Sequence, residues 1–322
     1  MNPSVTVVIP TFNGKTWLES SLPEFLAQDY AGKWEILIID SDSDDGTRAL
    51  FSAIPNARCH TIRREEFGHG KTRNLALTLS ESELLLFTVQ DARPMHSQWI
   101  SNLVSALLGS RADAICGSQA VPHHTDKNPL AWYRPLQVTE KVRLVTPRAF
   151  QTANPQERTQ LCAWDNVNAL YRREALRKNP FQDVRFAEDL AWAKSQLETG
   201  GSIGYVGHCR VWHYHHHTPQ FAWQRTLSLL YWQHHHFGIL PPLPKPPTLT
   251  GLLLALKVII WNSRILAPHR IVFWLNYIWT SKDATYRAGQ AFASAHATGQ
   301  SDIDELYASM GKQSPLAPKA KE

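Results

Sequence analysis

Asp91 interrupts the stretch FTVQDARP, Phe87 to Pro94, at the end of an apolar run, with the polar Gln90 just before it. Asp40 ends the run EILIID and opens DSDSDDGT, where four acids fall in six residues. Glu188 and Asp189 are adjacent in FAEDLAWA, and His213 and His215 alternate in VWHYHHH. Carboxylates and imidazoles of this kind hold divalent cations, accept a proton from a hydroxyl, or accept the N–H of a nucleotide base. Each also has a plainer reading. Strands end at polar loops, and Asp44 or Asp45 caps a helix starting near Gly46. A helix dipole attracts Glu188 and Asp189, and the same field would keep Asp189 ionised, as a general base requires. Solvated histidines are common, and strand alternation puts His213 and His215 on one side and Trp212 and Tyr214 on the other. GHGKTRN could cradle a phosphate at a helix start, although its spacing is not that of a P-loop.

The elements that must bring these groups together alternate in type. VTVVIP, EILIID, LLLFTV and DAICGS read as strands buried on both faces. Between them KTWLESSLPEFLAQ, DGTRALFSAI, GKTRNLALTL and SQWISNLVSALL read as helices. Such alternation predicts a mostly parallel α/β sheet whose ligand crevice lies at the carboxyl ends of its strands. The loops PTFNG, DSDSDDGT and VQDARP all follow strands. From about residue 128 to 180 the pattern loosens, and a helix over FAEDLAWAKSQLETGG is expected to stop at Gly200-Gly201. SIGYVG and RVWHYHHH read as extended, followed by an aromatic-rich helix and two apolar helical stretches, Leu249 to Arg264 and His269 to Ser281. We therefore expect a catalytic domain over 1–240, an apolar helical extension over 241–310 and a disordered tail over 311–322.

The chain has 322 residues, 43% of them hydrophobic, with a net charge of +5 and a pI near 9.0. That mild basicity suits a phosphate-bearing ligand or an anionic membrane surface. It comes without the basic tracts or modules of a nucleic-acid binder, so no nucleic-acid partner is expected. Four scattered cysteines exclude a zinc or disulfide framework and point to a reducing compartment. The N-terminus lacks a leader pattern, which predicts a cytoplasmic protein. GLLLALKVIIW is too short to span a bilayer. The apolar C-terminal stretches, dotted with Lys257, Arg264, His269 and Arg270, read either as packing helices or as a peripheral contact with the inner membrane.

The succession VVIPTFNG, EILIIDSDSDDGT, GHGKTRN, FTVQDARP, FAED and VWHYH resembles the inverting family 2 glycosyltransferases from Ser4 to Arg225. Within them it is most similar to bacterial rhamnosyltransferases, whose typical segments are Phe-Asn-His-Gly-x-Thr-Arg-Asn, Thr-Gln-Asp-Ala and a late His-x-His. Two positions depart from the pattern. Val89 stands where the family's first metal-binding acid would be, and Gly68 stands where the subfamily tends to have asparagine. The resemblance implies a nucleotide-diphospho-sugar transferase (GT-A type) fold, Rossmann-like, with a C-terminal helical extension. It implies a divalent metal, Mn or Mg, on Asp91, with His213 completing the site, and Asp189 of the Glu188–Asp189 pair as catalytic base. It places Pro10, Thr11, Asn13, Asp40, Arg73 and Gln90 at the nucleotide, with Asp40 on the base. Trp164, Asp165 and Asn166 fall near sugar and acceptor, with Trp164 either stacking on a sugar or buried in the core. The implied reaction moves L-rhamnose from dTDP-rhamnose to a hydroxyl of a polysaccharide or lipid-linked glycan precursor. Two other readings stay open: another UDP- or GDP-sugar donor, or an inactive nucleotide-sugar-binding protein.

Overall fold

The structure, a computed structural model, describes residues 2–52, 54–132 and 141–310. The expected tail over 311–322 lies outside them. Contacts divide the chain into two compact units. The first comprises the described residues within Met1–Ala120, Pro135–Asn154 and Gln160–Tyr214, and the second those within Val121–Arg134, Pro155–Thr159 and His215–Glu322. The division therefore falls at Tyr214–His215 rather than near residue 240, because helix Pro219–Phe237 packs against helix Pro268–Thr298 inside the second unit.

The first unit is one sheet with helices on it. Its strands are β1 (Val5–Thr11), β2 (Trp34–Asp40), β3 (Ala57–Thr61), β4 (Leu84–Phe87), β5 (Arg93–Pro94), β6 (Ala114–Ala120), β7 (Arg143–Val145), β8 (Ala169–Arg172) and β9 (Ile203–Trp212). They run in the order β3-β2-β1-β4-β8-β6-β9-β5, with β7 also on β9. The pairs β1/β2, β2/β3, β1/β4 and β6/β9 are parallel, and β8 runs antiparallel to both β4 and β6. The central strands are mostly apolar because helices cover them: Val5, Val7, Val8, Ile9, Ile36 to Ile39 and Leu84 to Phe87 are all buried. From β1 the chain moves outward to β2 and β3, then returns to β4 on the other side. That reversal opens a crevice beyond the carboxyl ends of β1 and β4.

Three expectations need correcting. DGTRALFSAI forms only a short 3₁₀ turn, Thr47–Phe51. SIGYVG and RVW belong to one strand, β9, which ends at Trp212, so the following histidines lie beyond the sheet rather than alternating on it. The loosened segment contains the antiparallel strand β8, ALYR.

In the second unit, helix Leu249–Lys257 runs into a π-helical turn, Val258–Asn262, and helix Pro268–Thr298 extends well past Ser281. No helix among the described residues is long and apolar enough to cross a membrane.

Candidate active site

The loops after β1 and β4 are clasped across the crevice by one side chain. The Gln90 amide pairs with the peptide of Phe12: Phe12 N–H donates to Gln90 Oε1 at 2.9 Å, and Gln90 Nε2 donates to Phe12 O at 3.3 Å. A Cβ at position 14 would lie 2.6 Å from Gln90 Oε1, so glycine there leaves the amide room to make this pairing. Asn13 takes a left-handed conformation (φ 47°), donates its N–H to Ser43 Oγ and accepts from Asp44 N through Oδ1. Gln90 thus shapes the loop after β1 through that loop's backbone.

Asp40 is fully buried at the end of β2. Its carboxylate accepts from Ser43 N (2.9 Å), Ser43 Oγ (2.5 Å) and Thr11 Oγ1 (3.1 Å), with Arg48 Nε 3.8 Å away. A carboxylate offers about four lone-pair directions, so most of this one is spent on holding residues 41–43, where Asp42 is also left-handed (φ 59°). This differs from a group held open for a base. Asp45 is the capping acid, accepting from Thr47 N and from Lys15 N at the start of the first helix. Pro10, partly buried, precedes Thr11 at the end of β1.

FGHGKTRN has a structural task. A Cβ at Gly70 would meet Gln182 O at 2.3 Å, so glycine lets the helix His69–Leu79 approach that segment. Asn74 clasps the Phe181 peptide, donating to its O (2.8 Å) and accepting from its N (3.0 Å). Arg73 is buried and donates to Glu188 Oε1 at 2.5 Å and to His69 O. The motif therefore pins the chain from Phe181 to Glu188, which leads into the helix Glu188–Glu198. Neither Arg73 nor Glu188 stands open to solvent, and the pair anchors the site.

A second buried chain joins this one. Asn166 Nδ2 reaches Glu188 Oε1 at 3.5 Å, Tyr171 OH donates to Asn166 Oδ1 (2.5 Å), and Trp164 Nε1 donates to Tyr171 OH (2.6 Å). Trp164 is 2% exposed and packs against Tyr171, Trp192 and Tyr205. Its ring offers no face to a sugar, so of the two readings the core residue is the one observed. Asn166, equally buried, links Trp164's partner to Glu188.

Asp189, next to Glu188, is half-buried and accepts the N–H of Leu190. Burial, and then the charge of Glu188, push its carboxyl well above the usual carboxylate range, with Arg73 opposing them. Desolvation opposes the helix dipole expected to keep this carboxylate ionised. A base with a raised pKa is better matched to neutral pH than an ordinary carboxylate.

Asp91 and His213 come together from the loop after β4 and the end of β9. Asp91 Oδ2 lies 3.6 Å from His213 Nε2, and both side chains are largely buried. His213 Nδ1 lies 2.7 Å from Gln119 Oε1, and Gln119 Nε2 donates to Asp165 Oδ2 at 2.9 Å. Asp165 also accepts from Val167 N. Oxygen and imidazole ligands at this spacing suit a divalent cation. Val89, at the position of the family's first acid, packs against the apolar core. His215 is exposed and belongs to the second unit. Gln119 escaped the sequence reading, although the rule used for Gln90 and Asp91, polar residues at the end of an apolar parallel strand, applies equally to DAICGSQA.

Known proteins resemble this chain in sequence and in fold. The sequence profile of glycosyl transferase family 2 matches residues 6–179. The O-antigen chain rhamnosyltransferase WbaN of Salmonella anatum is 31% identical over 229 residues, 69% of this chain and 70% of that protein. RfbN of Salmonella typhimurium, also an O-antigen chain rhamnosyltransferase, is 30% identical over 69% of each chain. Among solved structures, the mannosyltransferase PcManGT from Pyrobaculum calidifontis, in complex with GDP-Man and Mn²⁺, superposes with a TM-score of 0.54 at 20% identity, covering 96% of this chain and 79% of that one. Staphylococcus aureus TarS 1-349 with UDP-GlcNAc gives 0.53 at 14% identity, covering 90% and 92%. These structures share the GT-A type fold. With more than half of its residues matched by the profile, the chain belongs to glycosyl transferase family 2 and is a glycosyltransferase.

Proposed function

We propose that this enzyme transfers L-rhamnose from dTDP-rhamnose, with inversion, to a hydroxyl of a polysaccharide or lipid-linked glycan precursor. The observation that best supports the chemistry is the pairing of a carboxylate and an imidazole, Asp91 and His213, at the carboxyl edge of the sheet. The two O-antigen rhamnosyltransferases support the choice of donor. Asp91 and His213 would hold a divalent cation, which when bound neutralises charge on a leaving nucleoside diphosphate. Asp189 takes the proton of the acceptor hydroxyl as that oxygen bonds to the anomeric carbon and the bond from that carbon to the diphosphate breaks. Arg73 and Glu188 fix the helix start from which Asp189 projects, and Gln90 and Asp40 hold the loops around the nucleotide.

A thermal-shift titration with dTDP, UDP and GDP, each with and without Mn²⁺, tests the donor. A nucleotide at 100 times its dissociation constant adds about 2.7 kcal/mol to stability. We expect a Mn²⁺-dependent shift largest for dTDP. A preference for UDP or GDP would keep the transferase and remove rhamnose, which is the second reading the family permits.

The acceptor's class bears on the second unit. Leu249, Trp261 and Leu266 are each 70% exposed, and Leu253, Leu254, Val272 and Phe273 more than half exposed. No aspartate or glutamate occurs between Glu198 and Asp283, while Lys245, Lys257, Arg264, Arg270 and Lys282 lie within that interval. Exposed apolar side chains in a stretch of chain that carries cations and no acids suit the surface of an anionic bilayer. We expect sedimentation with phosphatidylglycerol-containing vesicles and not with pure phosphatidylcholine, weakened by salt. Lys257→Gln should weaken partitioning about fivefold, and equal binding to both vesicles would remove the electrostatic half of this reading.

A further inference from the structure

Gln119 sits one residue before the end of β6, with each end of its amide committed to a different partner. An ionised carboxylate only accepts hydrogen bonds, so Asp165 Oδ2, 2.9 Å away, requires the NH₂ end of Gln119. Asp165 is itself held, since Val167 N donates to its other oxygen at 3.0 Å. The carbonyl end of Gln119 is thereby turned toward His213 Nδ1, 2.7 Å away. An amide oxygen cannot donate, so the hydrogen in that contact is on Nδ1. A neutral imidazole carries one N–H, and its lone pair is then on Nε2, the atom that faces Asp91 Oδ2 at 3.6 Å. Two acceptors pointed at one another repel unless a proton or a metal cation lies between them.

We propose that Gln119, oriented by Asp165, is a positioning residue that locks His213 as the Nδ1–H tautomer and so presents Nε2 beside Asp91 as a metal-ligand atom. The inference rests on the reading of Asp91 and His213 as the cation's ligands, and deepens it. A second group that fixes the tautomer of a ligating histidine raises its ligand strength, and losing such a group typically weakens metal binding by about 10–100-fold. The signal lies in directionality along four side chains drawn from four separate places in the chain.

The tautomer is read directly from the two imidazole nitrogen shifts of His213 in ¹⁵N-histidine-labelled full-length protein without metal, assigned with His213→Gln. Mn²⁺ affinity is measured in parallel by electron paramagnetic resonance. We expect the Nδ1–H tautomer in the wild type. In Gln119→Met, which keeps the volume, we expect a mixture of tautomers and Mn²⁺ binding about 10–100-fold weaker. Gln119→Glu sets a carboxylate against Asp165 and should lose affinity as well. Combining it with Asp165→Asn restores a donor–acceptor sequence, because the new amide at 165 donates to the new carboxylate at 119, and should recover most of the affinity. That rescue separates the lock from simple damage to β6. An Nε2–H tautomer in the wild type, or Gln119→Met with unchanged tautomer and affinity, would overturn the proposal. The Nδ1–H tautomer in a wild type that binds no Mn²⁺ would support the lock and overturn the metal reading on which its purpose rests.

Discussion

Asp189→Asn should lower turnover by about 10²–10⁴-fold, the usual range for a lost general base, and at the same time raise the melting temperature. Both effects come from one cause. Burial and Glu188 push the Asp189 carboxyl well above the usual range, so the folded protein disfavours the ionised form. Between the ordinary aspartate pKa of about 3.9 and the raised folded value, the native state holds a proton that the unfolded state has released. Stability from this group therefore falls as pH rises through that window. The asparagine variant, having no proton to lose, should be more stable than the wild type at neutral pH. The difference should vanish below the ordinary aspartate pKa, where both states of the wild type are protonated. For the wild type, the acid limb of kcat/KM should lie above the ordinary carboxylate range. Initial rates with donor and acceptor, together with thermal melts of both proteins across pH, give the test. An asparagine variant with wild-type turnover would remove Asp189 from the base role, and one that melts lower at neutral pH would contradict the raised pKa.

Asp91→Asn should abolish metal-dependent nucleotide binding and lower turnover by at least about 10³-fold, since the electrostatic help a cation gives a leaving diphosphate is worth several kcal/mol. The side chain is 8% exposed and its isostere fits the same space, so the fold should survive. His213→Ala should act in the same direction. Chelator-treated wild type should match Asp91→Asn and recover when Mn²⁺ is returned, whereas the variant should not. Turnover in Asp91→Asn within a few-fold of the wild type would place the cation elsewhere. The contrast with Asp189→Asn is informative, because that variant should keep its Mn²⁺-dependent nucleotide shift while losing catalysis.

The two variants also sort the acids by what surrounds them. Glu188 and Asp189 are neighbours in sequence and opposite in use: Glu188 is bound to Arg73, and Asp189 is left beside it to carry the consequences of that fixed charge. Asp40 ends β2 and Asp91 lies in the loop after β4, yet Asp40 is enclosed by Ser43 and Thr11, while Asp91 faces an imidazole. Each pair comes from one place in the fold, a helix start or the carboxyl edge of the sheet, and its members are told apart by their partners.

That difference marks how far the sequence could be read. β1, β2, β4 and β6 were legible because strands covered on both faces must be apolar along their whole length, and the loops that follow them are where a parallel sheet presents its ligand groups. Those two rules, with the order of the motifs, were enough for the fold class, the family and the list of candidate acids. β8 was not legible. It is four residues long, antiparallel, and preceded by polar residues whose partners are distant in the chain. β5 and β7, two and three residues long, carry no periodicity to detect. The roles within the site were decided only by tertiary structure. Arg73 meets Glu188 115 residues away, and Gln119 meets His213 94 residues away. A hydrogen-bond direction or a pKa depends on which groups are packed around a side chain, and in a parallel sheet those groups arrive from strands that are neighbours in space and not in sequence. The sequence by itself determined which chemistry was available at the sheet's edge. Packing decided which carboxylate is anchored, which tryptophan is core, and which imidazole nitrogen faces Asp91.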